Sequence, residues 1–89
     1  NGGTGMKLLG SSTAIPANSA NSTIGKATSL FTNVTTAGVL TVVANDNSTA
    51  VGTISLPVGT YIIHKDGDQY IHKDGTLAGN VTSIANSGT

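Results

Sequence analysis

VLTVVANDNSTAVGTISLPVGTYIIHK, residues 39–65, is the stretch whose reading decides the fold. Val39 to Ala44 is a run rich in β-branched side chains, which are stiff at χ1 and suit a pleated strand better than a helix. Asn45-Asp46-Asn47-Ser48 breaks the run. Asn and Asp favour turns because they tolerate left-handed backbone and hydrogen-bond their own main chain. Val51 to Leu56 then alternates, with Val51, Ile54 and Leu56 set among Gly52, Thr53 and Ser55. Pro57 has no amide hydrogen to give a ladder, so this strand ends there or lies at a sheet edge. Gly59 to Lys65, around Tyr61, Ile62 and Ile63, predicts the next strand. No helical period runs through any of this.

Outward from that stretch the same pattern recurs. Ser29 to Val34 carries Leu30, Phe31 and Val34 and leads into a Thr35-Thr36-Ala37-Gly38 turn, while Asn80 to Ala85 closes the chain with Val81 and Ile84. Short strands at such spacing indicate an all-β fold: a small antiparallel β-sandwich or barrel of about six to eight strands with hairpins. The domain is expected over residues 28–89. Residues 6–27 read as a loose, extended N-terminal arm or edge strand, with Pro16 and only Ile15 and Ile24 as large apolar members beyond the opening Met-Lys-Leu-Leu. Residues 1–5 read as a vector remnant or linker, because Met6-Lys7-Leu8-Leu9 looks like a natural start.

Composition narrows the function classes. Thr, Ser, Asn and Gly make up 43 of 89 residues, whereas Val, Ile, Leu and Phe make up 21, just above the level at which disorder becomes the default. Disorder also brings high net charge, and 4 basic and 4 acidic side chains leave this chain at zero. A domain so small and polar has a thin stability margin, so burial against further copies or a larger surface is expected, with a homo-oligomer favoured. The neutral balance offers no electrostatic footprint for nucleic acid. No apolar run approaches the ~20 residues of a membrane span, and no membrane partner is expected. Without cysteine there is no disulfide framework, thiolate metal site or cysteine nucleophile.

A near-repeat stands out: Ile63-His64-Lys65-Asp66-Gly67 and Ile71-His72-Lys73-Asp74-Gly75, eight residues apart. Asp-Gly is a strong hairpin signal, since a type I′ turn needs positive φ at both central positions. With Asp66-Gly67 as a two-residue loop, Lys65 pairs with Asp68, His64 with Gln69, Ile63 with Tyr70, and Tyr61 with His72. In that register His64 and His72 lie on opposite faces and cannot share a zinc ion; a bulged loop would bring them together. The Asp-rich turns lack the calcium-hand pattern. The chain has no Glu, no Ser sits in a Gly-x-Ser-x-Gly elbow, and Gly2-Gly3-Thr4-Gly5-Met6-Lys7 lacks the order of a phosphate loop. No catalytic residue, metal ligand or cofactor is assigned, and no enzyme activity is expected. Tyr61 and Tyr70 suggest either a sugar-stacking platform or cross-strand packing.

One segment carries a resemblance. Gly52-Thr53-Ile54-Ser55-Leu56-Pro57 followed by Tyr61 to Lys65, together with Met6-Lys7-Leu8-Leu9, Val39 to Asn45, Asp68 and Val81 to Ala85, resembles small virion-associated structural proteins of decoration type from marine tailed phages, notably cyanophages. The second His-Lys-Asp-Gly turn and Asn86-Ser87 depart from that pattern. The resemblance implies a structural protein of the virion, a capsid decoration or tail-associated subunit that meets capsid or tail proteins and acts by self-association. A carbohydrate- or receptor-binding module of a phage fibre is the alternative. Contact is expected through the ribbon residues Tyr61, His64, Tyr70 and His72. Pro57 and Lys65 are expected to act as edge blockers.

Overall fold

A computed structural model describes residues 5–86; the Gly-rich stretch read as a linker therefore lies, but for Gly5, outside the described residues, as does Ser87. Among the described residues there is no helix. Eight strands follow one another: β1 (Met6–Leu8), β2 (Thr13–Ala14), β3 (Ser29–Thr36), β4 (Gly38–Val43), β5 (Ala50–Leu56), β6 (Gly59–His64), β7 (Tyr70–Asp74) and β8 (Ala78–Asn86). They form two antiparallel sheets, one ordered β1-β8-β3-β6 with β2 also on β8, the other β5-β4-β7. The all-β sandwich is thus the fold.

The wiring is specific. The segment after β2 leaves β8, where the Ile15 amide donates to the Gly79 carbonyl at 3.1 Å, and reaches β7. There Pro16 accepts from the Lys73 amide at 2.8 Å, and Ser22 and Ile71 exchange two backbone bonds at 2.8 and 3.2 Å. That interrupted segment occupies the place of a fourth strand beside β7. With that segment counted as the strand beside β7, one sheet ordered β1-β8-β3-β6 and the other ordered segment 16–22, β7, β4, β5 have the connectivity of a jelly roll, a double-sheet solution to the edge-strand problem.

The core follows the period-two alternation. Leu30, Thr32 and Val34 of β3 are fully or almost fully buried; Leu30 and Val34 share one core cluster with Val81 of the neighbouring β8, with Leu40 and Ile71 of the other sheet and with Leu77. Ile15 and Ala27, from the arm, are each 4% exposed and plug one flank. β1 and β2 thus pair with β8, and residues 16–22 bond to β7.

Three local expectations are corrected. The Asp66-Gly67 hairpin does not form, because β6 pairs with β3 and β7 pairs with β4. Asp66 to Gln69 is instead a turn closed by the Gln69 amide on the Asp66 carbonyl at 3.1 Å, and neither central residue has positive φ. A hairpin would have set Ile71 opposite Ile62; sandwich closure buries Ile71 completely, whereas Ile62 stays 39% exposed. Gly75 does have φ 63°, yet its turn also crosses between sheets. The second correction concerns residues 35–38. β3 runs on to Thr36 and β4 starts at Gly38, so Ala37 alone makes the crossing. Gly38 is needed there, because a Cβ would collide with the backbone of Leu77, and Thr76 Oγ1 locks the two crossings by donating to the Ala37 carbonyl at 2.6 Å.

The third correction is Lys65. It does not guard an edge. Its side chain turns inward, 8% exposed, and Nζ donates to the Ala27 carbonyl at 2.7 Å and the Asp66 carbonyl at 3.2 Å.

Candidate functional site

The four residues expected to form one contact surface are placed apart. Tyr61 and His64 stand on β6 in one sheet; Tyr70 and His72 stand on β7 in the other. Tyr61 leans on the core, and its hydroxyl donates to the Pro57 carbonyl at 2.7 Å. His64, on the opposite face of the same strand, is exposed and shares a 2.9 Å hydrogen bond with Ser29 Oγ. Tyr70 and His72 share the outer face of β7, but His72 is only 8% exposed. Of the four, His64 alone is exposed. Tyr61 and Tyr70 make no common stacking platform, because the turn between them changes sheet.

Two polar clusters come closest to chemistry, and each lacks a part. Ser29–His64 has a hydroxyl and an imidazole on β3 and β6, but among the described residues no carboxylate bonds to the ring. His72 Nδ1 lies 3.4 Å from Asp74 Oδ2. There Thr41 Oγ1 donates at 2.6 Å to the carboxylate rather than to the imidazole, and Asn18 Nδ2 donates to Asp74 Oδ1 at 2.9 Å. That network ties the arm to β4 and β7. Among the described residues no three His, Asp, Glu or Cys side chains gather where an ion could sit.

A hollow of about 410 Å³ lies under the arm, lined by Leu9, Ser11, Thr13, Ser22, Ile24 and Ser83 among others. Its walls are hydroxyls and aliphatic carbons without a charge. The loop beside it is strained: Ile24, Gly25 and Lys26 have φ of 53°, 65° and 60°, and a β-branched residue rarely adopts such backbone. The Ser22 and Thr23 hydroxyls hold it by accepting the Ile24 and Lys26 amides at 3.0 and 3.1 Å.

The flank opposite the arm has another character. There β5 and β6 are outermost, one in each sheet, joined through Pro57-Val58. Six of the seven β5 residues are exposed. Ile54 pairs with buried Leu40 and so shares its core-facing side, yet Ile54 is 53% exposed. Val51, Val58 and Ile62 are likewise open to solvent at 57%, 64% and 39%. From Asn47 to Ile63 the sequence holds no Asp, Lys or His. Residue-level reading missed this flank, since exposure of an inward-facing Ile depends on what lies across from it.

No family model, curated protein or solved structure matches the chain.

Proposed function

We propose that this protein is a non-enzymatic structural component of a phage virion, a capsid decoration or tail-associated subunit that works by self-association and surface attachment. The observation that carries the reading is the uncharged flank on which Val51, Ile54 and Ile62 of β5 and β6, and Val58 between them, are exposed, with no strand among the described residues pairing the outer edges. Edge strands are a liability that proteins usually blunt with charge, Pro or very short strands, and β5 and β6 carry no such protection within their spans. Jelly rolls serve as capsid domains elsewhere, and the resemblance of the Gly52–Lys65 segment to virion proteins of cyanophages points the same way. Fold alone does not define function, so the reading rests on the surface.

Antibodies raised against the purified chain test it directly. Gold labelling of many sites on the heads or tails of intact cyanophage particles is the expected result. Labelling confined to particle-free protein would overturn it.

A second reading has its own observation. Jelly rolls also frame lectins, and the hydroxyl-lined hollow under the arm falls within the size range of small-ligand pockets. Saturable glycan-array binding abolished by Thr13→Val, a change within the hollow, would favour a carbohydrate-binding fibre module.

A further inference from the structure

The two flanks of the sandwich are finished differently. On one, the arm crosses from β8 to β7, buries Ile15 and Ala27, and leaves only strands of 3 and 2 residues at the sheet margin. On the other, β5 and β6, of 7 and 6 residues, are the outermost strands, and no strand among the described residues pairs with their outer edges. Each presents an outer row of backbone N–H and C=O groups with no strand partner among the described residues. The gap between them is uncovered as well, because Ile54 points to the interior side and remains half exposed.

The occupant is constrained by geometry. Packed sheets stand about 10 Å apart, so whatever satisfies both edges must itself present two strand edges at that separation. A single extended peptide completes one edge and leaves the other open. A second copy carries the same pair of edges. Turned about a two-fold axis normal to the sheets, it sets β5 against β5 and β6 against β6, both antiparallel, and continues each sheet into its neighbour. Such an interface is self-complementary by construction. No like charges meet across it, because residues 47–63 hold no Lys or Asp, and Ile54 of each copy, on the core-facing side of β5, gains the cover it lacks.

From these observations we infer that the β5–β6 flank is a homodimer interface in which both sheets extend across a two-fold axis. The inference deepens the structural-protein reading and rests on its premise of self-association. Sedimentation of the full chain tests it. The wild type is expected to run at about twice 8.8 kDa, with β5 and β6 amides protected from hydrogen exchange. Ile54→Lys and Ile62→Lys place like charges near the axis and are expected to raise the dissociation constant roughly a hundredfold. Leu8→Lys, on the arm flank, is expected to leave it unchanged. All three positions are solvent-accessible in the single chain, so circular dichroism is expected to show intact sheets.

A wild type that stays monomeric at about 1 mM, or a dimer indifferent to both flank lysines, would overturn the interface. The two readings fail separately. Particle labelling by a strictly monomeric protein removes the flank pairing and leaves the virion role standing; a flank dimer never found on particles does the reverse.

Discussion

At the scale of single residues, two charged side chains show how little this molecule leaves to long-range electrostatics. Asp46 organises the β4–β5 loop: Oδ1 accepts the Ser48 and Thr49 amides, both at 2.8 Å, and Oδ2 accepts the Thr49 hydroxyl at 2.7 Å. These bonds, led by the Thr49 amide, hold its pKa below the ordinary 3.8. A carboxyl whose folded pKa is depressed contributes stability above its unfolded pKa and loses it as pH falls through the folded value. Thermal unfolding followed through pH 3.8 and below is therefore expected to show a loss in wild type that is absent in Asp46→Ala, which starts less stable at neutral pH. Asn47 beside it adopts φ 56°, so the left-handed tolerance that marks Asn-Asp-Asn as a turn is used there. Lys65 is the opposite case. Burial pushes its pKa below 10.5 against the partial relief of Asp68 and Asp66. Its folded form gives up a proton before the unfolded form does, so wild-type stability rises as pH climbs from the folded value to 10.5. Chemical denaturation is expected to show that rise in wild type and to lose it in Lys65→Met. That Lys65 turns inward was not legible in the sequence, because only the folded chain places the Ala27 carbonyl within its reach.

At the scale of elements, strand positions were readable and strand partners were not. Val39–Ala44, Val51–Leu56 and Gly59–Lys65 coincide within a residue with β4, β5 and β6, since alternation and β-branching are local. Pairing depends on burial across the molecule, and so the Asp66-Gly67 signal yields a crossing turn rather than a hairpin. β8 shows the consequence of close pairing. Gly79 has φ 154°, and a Cβ there would collide with the Asn33 carbonyl of β3. Gly79→Ala is expected to cost ~2 kcal/mol or more in chemical denaturation, through backbone displacement at the centre of the larger sheet. In the smaller sheet, paired Leu40 and Ile54 make a controlled contrast. Leu40, 1% exposed, is expected to cost about 2–5 kcal/mol when truncated to Ala. In a monomeric background Ile54→Ala is expected to cost less than about 1 kcal/mol, because half its surface already meets water.

At the scale of the whole molecule, the arm decides the asymmetry on which function is argued. By plugging one flank with Ile15 and Ala27 and bonding to β7 and β8, it leaves the β5–β6 flank as the open one. Removal of residues 1–27 is expected to open the second flank, exposing Ile71 and Val81, and to give a chain that aggregates at concentrations where the full chain stays dispersed in light scattering. The candidate site was only partly foreshadowed: Tyr61 and His64 belong to a strand of the open flank, while Tyr70 and His72 belong to β7, which the arm borders. By itself the amino-acid sequence determined the all-β class, the positions of most strands and the Asn-Asp-Asn turn, because propensity, alternation and turn chemistry act over a few neighbouring residues. Only the tertiary structure decided the jelly-roll wiring, the inward Lys65 and the uncovered Ile54. Those follow from which distant surfaces meet, and burial is a property of the assembled sheets rather than of any segment within them.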